Sequence, residues 1–286
     1  MKNAIEVRNL TKHYKNFSLD HISFDVPSGS IVGLVGENGA GKSTTLKAIL
    51  NLIYPEEGTI KIFGKENTED SLTRNQEIGV VFDECMFPGD MKLEQVGKML
   101  SCIYANWDQR AFDMYQQKFR LPLDKCIKDF SRGMKMKTSI AGALSHNAKL
   151  LILDEATSGL DPMVRDEILD IFLDFIQDEE HSVLVSTHII SDLEKIADYI
   201  TFIHDGKIHF SESKDELIYK YGIVRCNEKE YKNLEDKHIA GVKRNSFGYE
   251  VLVDNKPELE KRAHSFVIDK AGIEDIMLFM TKGELQ

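Results

Sequence analysis

Gly36-Glu37-Asn38-Gly39-Ala40-Gly41-Lys42-Ser43 is the stretch on which the reading of this chain turns. A glycine, four residues, a second glycine, a lysine and a hydroxyl residue make the pattern of a phosphate-cradling loop. The short apolar run Ile31–Val35 precedes it. Leu46, Ile49, Leu50 and Ile53 follow at helical spacing over 42–53. Strand, glycine-rich loop and helix together give the pattern its physical meaning. Glycines let the backbone wrap closely, so that successive N–H groups point inward at phosphate oxygens. The helix N-terminus adds the positive end of its dipole. Lys42 supplies a point charge for the β- and γ-phosphates, and Ser43 offers a hydroxyl to Mg²⁺. In a chain of ordinary glycine content the pattern arises by accident only about once in a hundred sequences of this length.

A second signal is Leu150-Leu151-Ile152-Leu153-Asp154-Glu155, an apolar strand that delivers two adjacent carboxylates to its C-terminal edge. Strands often end in acidic turns, so the segment decides little alone. Beside a phosphate loop it suits metal-assisted phosphoryl chemistry, with Asp154 in the Mg²⁺ shell and Glu155 orienting or deprotonating the attacking water. Ser158-Gly159-Leu160-Asp161 lies beyond it, and the strand Ser182–Thr187 ends in His188. A histidine so placed is in isolation more often a satisfied core residue. Here it completes a set, and it is expected to reach a γ-phosphate or the attacking water.

Around these motifs the pattern alternates. Val7, Leu10, Phe17, Leu19, Ile22, Phe24 and Val26 predict strands over 4–35, and Thr59–Phe63 predicts another, closed by Gly64. Residues 90–147 change to helical spacing (Val96, Met99, Leu100, Ile103; Ile140, Ala141, Leu144) and read as a helical insertion. The apolar strands Leu150–Leu153, Val183–Val185 and Ile200–Ile203 then alternate with helical segments near 163–177 and 189–197. Such alternation implies a parallel sheet covered by helices. Asp205-Gly206 signals a hairpin, and Ser213 with Glu216 a capping box opening a helix to Tyr221. Gly222 is the expected domain boundary. Beyond it, Tyr249–Val253 and Ser265–Ile268 read as strands and Ile273–Met280 as an amphipathic segment.

Composition narrows the partners. The 286 residues suffice for one large domain and a smaller one, and the net charge of −11 argues against a protein built to grip nucleic acid. Cys85, Cys102, Cys126 and Cys226 form no Cys-x-x-Cys pair, which suits reduced thiols in a cytosol, and no structural metal site is expected. There is no apolar run approaching the roughly 18 residues needed to span a bilayer. Any action at a membrane would need another polypeptide for the spans.

Taken in order, the motifs resemble the ATP-binding domain of ABC transporters across residues 1 to ~215. Gly36 through Ser43, with Thr44, match its phosphate loop; 150–155 its acidic strand; 158–161, including Asp161, the loop that crosses a dimer interface; and His188 its switch histidine. Tyr14 resembles the aromatic residue that stacks on adenine. Phe130-Ser131-Arg132-Gly133-Met134-Lys135 occupies the place of the signature motif, in which Ser131 and Gly133 would grip the γ-phosphate of ATP bound by a second subunit. Three departures stand out. Arg132 and Met134 replace a glycine and a glutamine, and Ala156 stands where proline is common. Asp83, at the end of Ile78-Gly79-Val80-Val81-Phe82, replaces a glutamine that touches Mg²⁺ and would itself be a Mg²⁺ ligand. Arg132 is then either a surface charge beside Asp129 or a donor reaching the γ-phosphate across the interface, where it would balance Asp83.

The resemblance implies an α/β P-loop NTPase of ABC type: a mixed sheet core, an antiparallel β subdomain, a helical subdomain over about 90–147 and a small C-terminal α/β appendage. Residues 1–221 would bind MgATP and 222–286 would be accessory. It further implies an ATPase subunit of the export class, in the sense of bacterial drug or peptide exporters. That subunit would work as a homo- or heterodimer on the cytoplasmic face of a membrane, held there by a separate membrane-spanning subunit. No nucleic acid and no direct membrane insertion are expected. A soluble ABC-type ATPase acting on ribosomes or nucleic acid is the alternative, but ribosome-associated relatives usually carry two phosphate loops where this chain has one, and DNA-repair relatives carry long coiled coils where this chain has no sustained heptads. A P-loop kinase leaves Asp154-Glu155, the signature-like segment and His188 unexplained.

Overall fold

A computed structural model of the chain describes residues 2–67, 75–234, 238–245, 248–262 and 267–282. The chain divides into two compact units, Met1–Ser211 and Glu212–Gln286. The first unit opens with two long strands, β1 (Asn3–Tyr14) and β2 (Phe17–Pro27). They pair antiparallel, and β4 (Glu57–Ile62) and β5 (Lys65–Glu66) extend the sheet in the order β2-β1-β4-β5. Its inward residues alternate as the sequence does: Ile5, Val7 and Leu10 are fully buried, and Arg8 faces out.

The second sheet carries the chemistry. β3 (Ile31–Val35), β6 (Ile78–Val81), β7 (Leu150–Asp154), β8 (Ser182–Thr187), β9 (Tyr199–His204) and β10 (Lys207–Ser213) run in the order β10-β9-β3-β8-β7-β6. From β9 to β6 every neighbouring pair is parallel. All residues of β3, β7 and β8 are buried, the continuous apolar reading of a strand covered on both faces. Asp205 (φ 46) and Gly206 (φ 73) are both left-handed, as a two-residue hairpin turn between β9 and β10 requires.

Helix α1 (Lys42–Ile49) lies between the two sheets. Its Leu46, Ala48 and Ile49 share one core with Ile5, Val7 and Leu19 of the antiparallel sheet and with Leu34, Ile152 and Leu184 of the parallel one. Each of the leucine, isoleucine and valine side chains among these, fully buried, contributes roughly 1.5–3 kcal/mol. The helix is shorter than the expected run to Ile53. Asn51 takes φ 57, its N–H bonds to Ala48 O and that of Leu52 to Lys47 O, which is a Schellman stop with asparagine in the place glycine usually fills.

The helical insertion comprises α2 (Leu93–Ile103), α3 (Gln109–Lys118), a single 3₁₀ turn at Ile127–Asp129, and α4 (Arg132–Leu144). Phe112, Leu93, Val96 and Ile140 form its apolar interior. Back on the sheet, α5 (Pro162–Phe175) follows β7 and α6 (Ile190–Ile196) follows β8.

In the second unit, α7 (Lys214–Lys220) is capped by Ser213 Oγ, which accepts from Glu216 N, and leads into β11 (Gly222–Cys226). Then come α8 (Glu228–Tyr231), β12 (Ile239–Asn245), β13 (Gly248–Val253), α9 (Lys256–Arg262), β14 (Val267–Lys270) and α10 (Ile273–Lys282). The sheet order β12-β13-β11-β14, antiparallel throughout, is the split βαβ arrangement of ferredoxin-like folds. Its own small core gathers Val224, Val242, Val251 and Val253. Of the strand expected over Ser265–Ile268, positions 265 and 266 lie outside the described residues.

Candidate active site

The loop 36–41 leaves the C-terminal end of β3 at the middle of the parallel sheet. Gly36 is required there by proximity: a methyl at that position would stand 2.2 Å from Ile203 O on β9. Gly41 is required by conformation, with φ 115, and it forms the N-cap of α1 without any side-chain cap. The first N–H groups of α1 are therefore left to an anion rather than to a serine or aspartate oxygen. Glu37, Asn38 and Gly39 form an exposed lip, whereas Lys42 is only 5% exposed. Its ammonium donates to Gly36 O (2.7 Å) and Glu37 O (3.2 Å) and pairs with Glu155 Oε1 (3.3 Å).

The acidic strand reaches the same place from β7. Asp154 is opposite Ser186 in the β7–β8 register, and its Oδ1 accepts from Ser186 Oγ and, at 3.2 Å, from Ser43 Oγ. Ser186 is fully buried and was not among the residues expected from sequence. Glu155 has φ 51, and its N–H donates to Ser186 O (3.0 Å). Its carboxylate sits between two cations or donors, with Oε1 at Lys42 Nζ and Oε2 at 2.7 Å from His188 Nδ1. A carboxylate only accepts, so this contact puts the Nδ1 proton of His188 toward Glu155 on a ring that is 43% exposed. Phosphate loop, acidic strand and histidine thus converge within hydrogen-bonding distance of one carboxylate.

A cavity of about 610 Å³ opens over the loop, lined by residues 37–44, Glu155, Asn16, Phe17, His204 and Asp205. The last four were missed from sequence. Phe17 and Asn16 arrive from the β1–β2 turn. His204 and Asp205 arrive because Gly206 N donates to Ala40 O, a tertiary bond that the hairpin signal alone does not reveal. Tyr14 is 47% exposed, its ring centroid 6.4 Å from that of Phe17, and it is not among the lining residues. His209 stands edge-on to His204 (5.6 Å); burial, together with the neighbouring His204, holds it below the ordinary histidine range.

The remaining predicted residues gather elsewhere in the unit. Ser131 caps α4, its Oγ accepting from Met134 N (3.2 Å), and Asp161 caps α5, accepting from Val164 N (3.1 Å). A methyl on Gly133 would stand 3.4 Å from Val164, so the two helix starts are neighbours. Asp83 is exposed and lines a separate cavity of about 480 Å³ together with Arg132 and Lys135. Within one chain, then, Ser131, Gly133, Asp161 and Asp83 do not line the cavity over the phosphate loop, and Asp83 and Arg132 share a cavity in the same subunit.

A phosphate loop with a buried lysine, a serine–aspartate pair and a carboxylate held at that lysine define a P-loop nucleotide hydrolase. Hard oxygen donors from Ser43 and Asp154 fit Mg²⁺, which takes few protein ligands and keeps several waters. A family model described as ABC transporter matches residues 19–158. The bacitracin transport ATP-binding protein BcrA of Enterococcus faecalis is 32% identical over 73% of this chain and 68% of that protein. The lantibiotic transport ATP-binding protein SrtF of Streptococcus pyogenes is 32% identical over 74% of this chain and 91% of that protein. A solved ATP-binding subunit of an ABC transporter superposes with a TM-score of 0.66 at 27% identity, over 76% of this chain and 92% of its own. The chain belongs to the ATP-binding subunits of ABC transporters. It has their α/β P-loop fold, and it is an ATP-hydrolysing subunit that powers a transporter. Among the described residues no helix is long and apolar enough to cross a membrane.

Proposed function

We propose that this subunit drives export of a peptide or drug, the class named in its bacitracin and lantibiotic relatives, by closing and opening a dimer around MgATP. The observation that carries the catalytic part is the Glu155 carboxylate, held 3.3 Å from Lys42 Nζ and 2.7 Å from His188 Nδ1 at the rim of the cavity. ATP lies with its phosphates on the N–H groups of residues 36–44. A γ-phosphate oxygen competes with Glu155 for the Lys42 ammonium, which frees the carboxylate to orient a water for in-line attack. His188 holds the other carboxylate oxygen and brings its ring to the γ-phosphate side. Ser43 and Asp154, with Asp83 as the third candidate ligand, would hold Mg²⁺, which would supply charge neutralisation at the phosphate oxygens.

A second subunit, identical or related, completes each site with its own Ser131 and Gly133, in an arrangement with two-fold symmetry. Tyr14 is the proposed adenine contact, and Asp161 belongs to the loop that meets the second copy. The dimer works on the cytoplasmic face, anchored by a separate membrane-spanning subunit. Residues 222–286 act as an accessory domain, a reading supported by their separate core. The test is Glu155→Gln. It retains ATP binding, loses hydrolysis by roughly a hundredfold or more, and accumulates as an ATP-bound dimer on gel filtration, whereas Lys42→Ala loses nucleotide affinity. Near-wild-type turnover of Glu155→Gln would remove Glu155 from the water-orienting role.

A further inference from the structure

Arg132 opens α4 directly after the cap Ser131, and Gly159 lies in the loop that leads into α5. Gly159 has φ 67, and a methyl there would stand 3.2 Å from Arg132 Cζ, 3.2 Å from Nη1 and 3.5 Å from Nε. Nearly equal distances to three atoms of one planar group mean that the guanidinium presents its face to Gly159, not its edge. The N–H donors lie in that plane and point elsewhere. Among the described residues the guanidinium has no hydrogen bond or ion pair, with Asp129 or with Asp83. The left-handed φ by itself calls for glycine at 159; what a solvated surface charge leaves unexplained is the face-on approach of the guanidinium to it.

We propose that Arg132 is a positioning residue: its guanidinium plane faces Gly159 across the space a side chain there would occupy, and it couples the loop Ser158–Asp161 to the start of α4. Both segments belong to the face that, on the dimer reading above, meets the nucleotide of the second copy, and the inference rests on that reading. The chemistry is specific to the pair. A guanidinium is flat and weakly hydrated, so its face can be brought up to a bare Cα; an ammonium is a compact, strongly hydrated charge with no such face. Gly159 leaves the space: a side chain there would push the guanidinium back by a few tenths of an ångström and strain a left-handed backbone. With the two segments joined, closing the dimer places Ser131, Gly133 and Asp161 in one movement instead of two independent ones.

Steady-state ATP hydrolysis by Arg132→Ala, Arg132→Lys and Arg132→Gln tests this, with melting temperature as the folding control. Arg132 is exposed, so the variants fold. Arg132→Ala and Arg132→Lys lose kcat alike, by roughly tenfold, at an ATP KM within about twofold of wild type, and Arg132→Gln, with its planar amide, recovers part of the loss. Wild-type kcat in Arg132→Lys would show that charge and not the plane matters, and wild-type kcat in Arg132→Ala would show no role; either overturns the proposal. ATP-dependent dimerisation in the Glu155→Gln background separates the two readings. If Glu155→Gln alone stays monomeric with ATP, the dimer reading falls and the proposal with it. If it dimerises and adding Arg132→Ala does not raise the ATP concentration required, the dimer stands and the positioning role is overturned.

Discussion

Replacing Ser186 by alanine removes one oxygen from a fully buried site and should weaken the metal site without touching the phosphate loop. The Ser186 hydroxyl donates to Asp154 Oδ1, and Asp154 is itself only 7% exposed. The change is nearly isosteric, so the cavity term is small. What is lost is a hydrogen bond to a charged group, about 1.5–3 kcal/mol. Ser43 is the other donor to the same oxygen, at 3.2 Å, but its hydroxyl is the one proposed to ligate Mg²⁺. With the metal bound, Ser186 becomes the hydroxyl that keeps the carboxylate oriented. Loss of such a supporting bond typically weakens metal binding about 10- to 100-fold. The assay is ATPase rate against free Mg²⁺ at saturating ATP, with metal-free ATP binding as the control. The Mg²⁺ half-saturation point should rise at least about tenfold, metal-free binding should change less than about twofold, and the melting point should fall by several degrees. An unchanged Mg²⁺ dependence alongside a lowered melting point would refute the reasoning, leaving Ser186 a packing residue.

Two further outcomes follow from contacts already described. Gly36→Ala forces a methyl to 2.2 Å from Ile203 O, about 1 Å inside ordinary contact, so the carbonyl that holds Lys42 must move; equilibrium ATP binding should weaken roughly 10- to 100-fold in a folded protein, and unchanged affinity would mean the loop yields freely. His146 is fully buried, stacked on Tyr104 at 3.8 Å, with Nδ1 bonded to Gln76 O and Nε2 without a partner among the described residues, and burial holds it below the ordinary histidine range. The unfolded chain takes up a proton near pH 6.5 that the folded chain resists, so this stability is complete above about pH 6.5 and declines as pH falls toward the folded value, by at most about 1.4 kcal/mol per pH unit. His146→Phe keeps the stack and should flatten the fall in denaturant midpoint between about pH 7 and about pH 5; identical slopes in the two proteins would clear His146.

What was legible in the sequence was whatever depends on local order. The loop 36–43, the strand ending in Asp154-Glu155 and the Asp205-Gly206 turn were readable because each motif is contiguous and its residues act on their own backbone. The end of α1 was misread for a local reason too: Asn51 adopts the left-handed stop that glycine signals more openly. Ser186, Phe17 and His204 were not readable, because nothing in their own segments marks them. Ser186 matters through its register opposite Asp154, and His204 through one bond from Gly206 to Ala40. Arg132 was visible as a departure from the family pattern, but both expectations for it concerned charge. The residue its flat face is turned toward is a glycine, and no pairing rule for charges points there.

The conformation of Glu155 is where sequence order and site geometry meet. Adjacent residues in a regular strand point to opposite faces, so Asp154 and Glu155 could not both serve one site if β7 simply continued. The strand ends at Asp154, and Glu155 takes φ 51, a conformation uncommon for a residue with a long side chain. Two bonds hold it there: Glu155 N to Ser186 O, and Ser158 N to Glu155 O. The turn swings the second carboxylate back toward the sheet edge, so Asp154 meets the two serines and Glu155 meets Lys42 and His188. A left-handed non-glycine residue costs of order 1–3 kcal/mol, and a glycine here would remove that cost. It would also remove the carboxylate. The chain therefore keeps the strained residue because the position must supply both the reversal and the acid group, and of the two only the reversal could be delegated to another residue type.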